Sequence, residues 1–329
     1  MVIAIPPDAW IGLTDTAQVM IIAQISDTHI KTPGTEDPWT GGALKADANK
    51  CLRHAIERIN TLVPLPDVLI ITGDLASYGL REEYREFKRI LEACRVPFYV
   101  IPGNHDSRRV MREELDYPHV REHPDFVQYV VEGLPVRLIA LDSMSDEHGG
   151  SEFCPARAAW FEEKLLEEPD RPTIVAIHHP PFETGIVPMV RYGTRWADGL
   201  NAILSRSRNI VRVICGHLHR SMFVTRGITT MSVCPASWWF QVYPEFNPDI
   251  GVAQVMRDGF GVLEPPQLQI HRWNGDHLIT HDIFIEEFPR IPLPQELIDA
   301  VAESMEQGTP IRKKYLAEDV GDQEGHGVA

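Results

Sequence analysis

The 329-residue sequence predicts an α/β protein in which two sheets pack face to face and helices cover both outer surfaces, a four-layer α/β/β/α sandwich. Three observations carry that expectation. Through the first two-thirds of the chain, short apolar runs alternate with stretches of helical period, the pattern of parallel strands buried on both faces. Beyond Ile228 the helical period fades and strand-like segments come one after another, which predicts a second, antiparallel sheet. Hydrophobic residues make up 43% of the chain, ample for a core of this size.

In order, the first apolar run is VMIIAQIS, from Val19 to Ser26, followed by a helical segment over 46–62. The runs DVLIITGD and VPFYVIPGNHD then bracket a second helix over 81–93, completing a β-α-β-α-β series. VRLIALDS (136–143), TIVAIHH (173–179) and IVRVICGH (210–217) are the later buried strands. Between them, PARAAWFEEKLLEE places Pro155 at a helix start, and 198–204 fits a short helix. ITTMSVC, GVAQVMR, LQIHRW and HLITHDIFI are the expected strands of the second sheet. From Glu287 the chain turns Pro-rich and charged, with one amphipathic stretch at 294–305 and a polar tail. Residues 1–18 therefore form an N-terminal extension, 19–286 the main domain and 287–329 a C-terminal extension.

The five cysteines are odd in number and unclustered, without a CxxC pair, as expected of reduced thiols rather than a zinc knuckle. The formal net charge of −16 argues against a long nucleic acid as partner, because backbone binding needs clustered Lys and Arg. Small anions stay open, since bound cations invert the local field whatever the surface charge. The N-terminal stretch has no Lys or Arg and is broken by Pro6-Pro7, so it reads as neither signal peptide nor membrane span, and the expected location is the cytoplasm.

The chemistry sits at the far end of each apolar run. Asp27-Thr28-His29, Gly73-Asp74, Gly103-Asn104-His105-Asp106, His178-His179 and Gly216-His217-Leu218-His219 each come directly after a strand. Strand carboxyl ends line the ligand crevice of an open α/β sheet, so five segments deliver Asp, Asn and His to one edge. Each has a plainer explanation when taken alone: Asp27 and Asp74 as helix caps, the glycines as turn residues, a single His as a hydrogen-bonded surface group. That explanation requires five coincidences at five strand ends. Oxygen and imidazole donors without thiolate point to Mn, Fe, Zn, Co or Ni, with an Asp able to bridge two ions. No G-x-S-x-G or P-loop pattern offers a protein nucleophile.

In order, the blocks SDTH, TGD, PGNHD, IHHPP and CGHLH span residues 26–219, and the chain resembles the calcineurin-like metallophosphoesterase superfamily. Within it, the HHPP block and the size are similar to the bacterial cyclic-nucleotide phosphodiesterases and glycerophosphodiesterases. The resemblance implies that family's fold of two packed mixed sheets flanked by helices. It also implies one divalent ion among Asp27, His29, Asp74 and His219, and a second among Asp74, Asn104, His178 and His217, with Asp74 bridging. The ions would be Mn, Fe, Zn or Co. His105 would stabilise the phosphoryl oxygens or protonate the leaving alkoxide, Asp106 would orient His105 or a ligand, and His179 would pack or support a ligand.

The implied activity is hydrolysis of a small phosphodiester, a cyclic nucleotide or a glycerophosphodiester. A phosphomonoesterase of the same superfamily and a scaffold with a decayed site are the alternatives, and the filled positions argue against the latter. The segment 183–199 carries Arg191, Tyr192, Arg195 and Trp196 just after the His pair, as candidates for the substrate wall alongside Asn104 and His105. Trp238, Trp239 and Phe240 are candidates to cover the site, an oligomer contact or the core. In the resembling branch, C-terminal extensions form arms between subunits, which predicts a homo-oligomer.

Overall fold

A computed structural model describes residues 19–35, 47–147, 149–186, 189, 193–247 and 249–307. The chain begins with β1 (Met20–Ile25), α1 (Ala48–Asn60), β2 (Val68–Thr72), α2 (Arg81–Leu91), β3 (Phe98–Ile101) and α3 (Arg108–Glu114). Next come β4 (Tyr129–Val131), β5 (Arg137–Leu141), α4 (Pro155–Glu167), β6 (Thr173–Ile177), α5 (Asp198–Leu204) and β7 (Ile210–Cys215). The last third holds β8 (Met222–Arg226), β9 (Thr229–Val233), β10 (Phe240–Val242), α6 (Val252–Asp258), β11 (Gly261–Leu263), β12 (Gln267–Trp273), β13 (Leu278–Phe284) and α7 (Gln295–Gln307).

Two mixed sheets result, in the orders β13-β12-β1-β2-β3 and β4-β5-β6-β7-β9-β8, with β10 and β11 forming a separate ribbon. The alternation of side chains along the second sheet gives its two faces. Leu138 and Ala140 of β5 and Ile174 and Ala176 of β6 join the core shared with β1, β2 and β3. Ile139, Leu141, Val175 and Ile177, one residue out of step, pack with Phe161 and Leu165 of α4 and Leu200 and Leu204 of α5. On the other side, α1 contributes Leu52, Ile56 and Ile59 and α2 contributes Tyr84, Phe87 and Ile90 to the first core. The four expected layers are thereby accounted for.

Local chemistry places the helices. Asp47 caps α1 by accepting from Asn49 N at 3.0 Å, and Pro155 sits in the first turn of α4. The expected antiparallel second sheet does not form. β12 and β13 extend the first sheet, β12 running antiparallel to β1 with Ile22 opposite His271, while β9 lies parallel to β7. The reason is the open edge of β1: a strand laid there satisfies backbone groups that a detached sheet would leave unpaired. GVAQVMR is also not a strand. Its apolar Val252, Val255 and Met256 fall at i, i+3 and i+4, and it forms α6, ended by Gly259 at φ 132°.

Polar side chains cross between the sheets. Gln24 Nε2 donates to Thr72 Oγ1 at 2.8 Å and to Cys215 O at 2.9 Å, and Gln269 Nε2 donates to Val233 O at 3.1 Å. His271 Nε2 donates to Gln24 Oε1 at 2.9 Å, so its Nδ1 accepts from the Thr280 hydroxyl at 2.8 Å. The chain divides into two compact units at Glu286–Glu287. In the second, α7 exposes Ile298 and Met305 and buries no residue. Residues 1–18, expected to be an extension, lie outside the described residues.

Candidate metal centre

Asp27 and His29 follow β1, Asp74 follows β2, Asn104 follows β3, His178 follows β6, and His217 and His219 follow β7. Among the described residues, the non-glycine positions with positive φ are Asp27 (52°), His29 (43°), Asp74 (49°), His217 (72°) and His219 (53°). Such a backbone is unfavourable for a residue with a Cβ and persists only where its surroundings impose it. Here hydrogen bonds impose it. Asp27 N donates to Gly73 O at 3.0 Å and His29 N to Asp74 O at 2.9 Å, tying the β1 and β2 ends together. His217 N donates to both Asp27 oxygens at 3.1 and 3.0 Å, linking the two sheets.

The side chains converge as a result. Ligand atoms of Asp27, His29, Asp74 and His219 lie within 4.8 Å of one another, as do those of His178, His179 and His217. Asp74 stands between the groups, its Oδ2 at 3.7 Å from His29 Nε2 and 3.4 Å from His178 Nε2. His178 Nε2 is also 3.3 Å from Asn104 Oδ1. The seven residues expected as ligands are thus gathered at one place.

The donor set fits divalent ions. His178 Nδ1 donates to Thr72 O at 2.7 Å and His219 Nδ1 to Phe240 O at 2.9 Å, which fixes each ring with its lone pair at Nε2. His29 Nε2 and His219 Nε2 are 3.0 Å apart, so the two nitrogens face a common point. Burial pushes His29 and His179 well below the usual imidazole range and His217 to about 3, so these rings are neutral donors. His178 behaves otherwise: burial presses it down, but the Asp74 and Asp27 carboxylates outweigh that and raise it to about 9. The two buried carboxylates thus favour positive charge at this point.

Two neighbouring residues take different positions. Asp106 accepts from Gly103 N at 2.8 Å, Leu75 N and Ala76 N at 3.1 Å each, and Tyr84 Oη at 2.9 Å, so what it orients is the backbone of the loops bearing Asp74 and Asn104. His105, half-buried, donates its N–H to Asp74 Oδ1 at 2.8 Å and its Nδ1–H to Ser77 O at 2.9 Å. Its ring stands edge-on to His29, 4.7 Å between centres.

Two cavities meet at Asn104, Met189 and His217. One, about 160 Å³, is lined by Gly150, Ser151, His179, Thr184 and Trp196. The other, about 290 Å³, is lined by Lys31, His105, Trp238, Phe240, Met256 and Phe260. Arg195 lies exposed on a 3-10 turn at 195–197, and Arg191 and Tyr192 lie outside the described residues. Of the three adjacent aromatics, Trp238 and Phe240 line the larger cavity, while Trp239 packs with Ala48, Cys51 and Ala236.

Sequence reasoning passed over Lys31 and gave His179 a lesser place. His179 Nδ1 pairs with Ser143 Oγ at 2.8 Å, and its buried Nε2 finds no hydrogen-bond partner among the described residues. The doubled histidine of IHHPP was the available signal. For Lys31 it was the short step from His29, which holds the lysine at the same strand end.

Residues 20–221 match the family model described as calcineurin-like phosphoesterase. The chain is 34% identical over 271 residues to a probable glycerophosphodiester phosphodiesterase, GpdQ, of Arcobacter nitrofigilis, covering 82% of this chain and 94% of the relative. It is 26% identical to the 3',5'-cyclic adenosine monophosphate phosphodiesterase CpdA of Escherichia coli K12, over 68% of this chain and 78% of that one. A dimetal phosphatase from Danio rerio shares the fold, with a TM-score of 0.54 at 13% identity over 79% of this chain and 98% of the other.

Proposed function

Because this chain belongs to the calcineurin-like phosphoesterase family, we propose that it is a metal-dependent phosphodiesterase acting on small phosphodiesters, either a cyclic nucleotide or a glycerophosphodiester. The observation that carries the reading is the left-handed backbone at Asp27, His29, Asp74, His217 and His219, which spends stability to aim carboxylates and imidazoles at one point. Asp27, His29, Asp74 and His219 would hold one divalent ion, and Asp74, Asn104, His178 and His217 the other. Two such ions supply Lewis acidity and lower the pKa of a coordinated water, so the protein need provide no nucleophile of its own.

The residues around them do the rest. Asn104, where the cavities meet, and His105, in the wall of the larger one, bind the phosphoryl oxygens. His105 would act in its imidazolium form, keeping the Nδ1 proton on Ser77 O while the Nε2 proton passes to the departing alkoxide and the ring is left neutral. Asp106 holds both loops in register, and Asp74 receives the His105 N–H while reaching both ligand groups. The acidic balance supports small substrates over nucleic acid. Among the described residues no helix is long and apolar enough to cross a membrane, and a cytoplasmic site of action is part of the proposal.

The test is a parallel assay of purified protein loaded with Mn, Fe, Co or Zn against cyclic AMP, glycerophosphoethanolamine, bis(p-nitrophenyl) phosphate and p-nitrophenyl phosphate. Turnover of at least one diester is expected. Activity confined to the monoester would overturn the assignment. The exposed Ile298 and Met305 of α7 support the C-terminal extension as an arm between copies of the chain. Light scattering that gave only a monomer for the full chain would remove that part.

A further inference from the structure

Two chambers meet at the candidate metal centre of this chain. The smaller mixes polar groups, Ser151 and Thr184 among them, with the apolar Phe182, Trp196 and Leu218. The larger is floored by Trp238 and Phe240, stacked 21° from parallel with centres 5.6 Å apart, and Phe260 adds a third ring 6.0 Å from Phe240. That floor depends on a missing side chain. A Cβ at Gly261 would lie 2.1 Å from Phe240 Cε2, so the Phe240 ring keeps its place only over a glycine.

Lys31, which lines the same chamber and is 8% exposed, holds Nζ 4.8 Å from the centre of the Trp238 ring. An aromatic floor with a cation beside it suits a flat ring bearing acceptor atoms at its edge. It does not suit a polyhydroxylated alkyl chain, whose hydroxyls would be desolvated against carbon.

We infer that the chamber formed by Lys31, Trp238, Phe240 and Phe260 is a specificity subsite for a planar aromatic group of the substrate. The inference rests on the phosphodiesterase reading and narrows it to diesters that carry an aromatic ring.

The experiment uses single-armed probes that bind without being turned over. The full-length, Mn-loaded protein is titrated calorimetrically with phenylphosphonate and methylphosphonate, which differ only in the arm. The phenyl compound is expected to bind about tenfold more tightly, the worth of burying one ring. In Phe260→Ala that ratio falls below about threefold, and Gly261→Ala, which displaces the Phe240 ring from its place in the floor, lowers it as well. Met256→Ala alters the exposed rim, so the test survives if either of those fails to fold. Equal binding of the two phosphonates by the unaltered protein, or a ratio that none of the variants moves, overturns the subsite. If no diester is hydrolysed with any metal, the proposed activity fails by itself, and the affinity ratio still decides the chamber.

Discussion

His105 and Asp106 are adjacent in the chain, yet the role proposed for His105 is on the reacting groups, whereas Asp106 accepts from the backbone of two loops. For His105→Ala the expected outcome is unchanged metal content by mass spectrometry with kcat lowered about 10²–10⁴-fold, the usual worth of a positioned acid. Metal loss in parallel with activity would show a structural role instead. A second residue-level prediction concerns His271, which burial first, and the Arg212 charge second, hold down to about 3. A base whose folded pKa is depressed contributes stability above its unfolded value, and that stability is lost as pH falls from about 6.5 toward about 3, by up to about 1.4 kcal/mol per pH unit. Denaturant unfolding at pH 7 and 5.5 should therefore show a shallower acid loss for His271→Gln than for the unaltered protein; parallel slopes would refute it. The candidate ligands were legible because Asp, Asn and His at strand ends are conspicuous among apolar neighbours. Lys31 and the part played by His179 were not, since a lysine just past a ligand and the second of two histidines acquire meaning only from the space around them.

The loops after β2 and β3 form one unit, because Asp106 of the second loop accepts from Leu75 and Ala76 of the first. Gly103 lies where they touch. A Cβ there would stand 2.1 Å from Asp74 Oδ1 and 2.3 Å from Asp74 N. Gly103→Ala is expected to displace the Asp74 carboxylate and cost about 10²-fold in kcat/KM, as misplacement by about an ångström does, with the far-UV dichroism retained. Activity near that of the unaltered protein would mean the loops can yield. The alternating strands and helices were legible from hydrophobic period alone. α6 was not, because seven residues with one buried side chain give too short a repeat to tell a helix from a strand. Nor was the destination of β12, which is set by the open edge of β1 and not by any property of LQIHRW.

At the scale of the molecule, the candidate site joins the two sheets: Asp27, Asp74 and Asn104 come from one, His178 and His217 from the other. Ions bound there bind the folded state alone and stabilise it by mass action, about 2.7 kcal/mol at a hundredfold excess over Kd. Chelation should lower the calorimetric Tm by several degrees, about 2–4 °C for each kcal/mol in a domain of this size, and added Mn should restore it. An unchanged Tm would mean that no stabilising ion is held.

The pairing of β1 with β12 has a further consequence during synthesis. By residue 219 a ribosome has made every side chain of the candidate cluster, yet β12 begins only at Gln267. The nascent chain thus carries a complete set of donors while β1 still shows a bare edge. A chain terminated between those points would keep the whole ligand set and lack the strand that shields it, making it a species for quality control rather than a smaller enzyme.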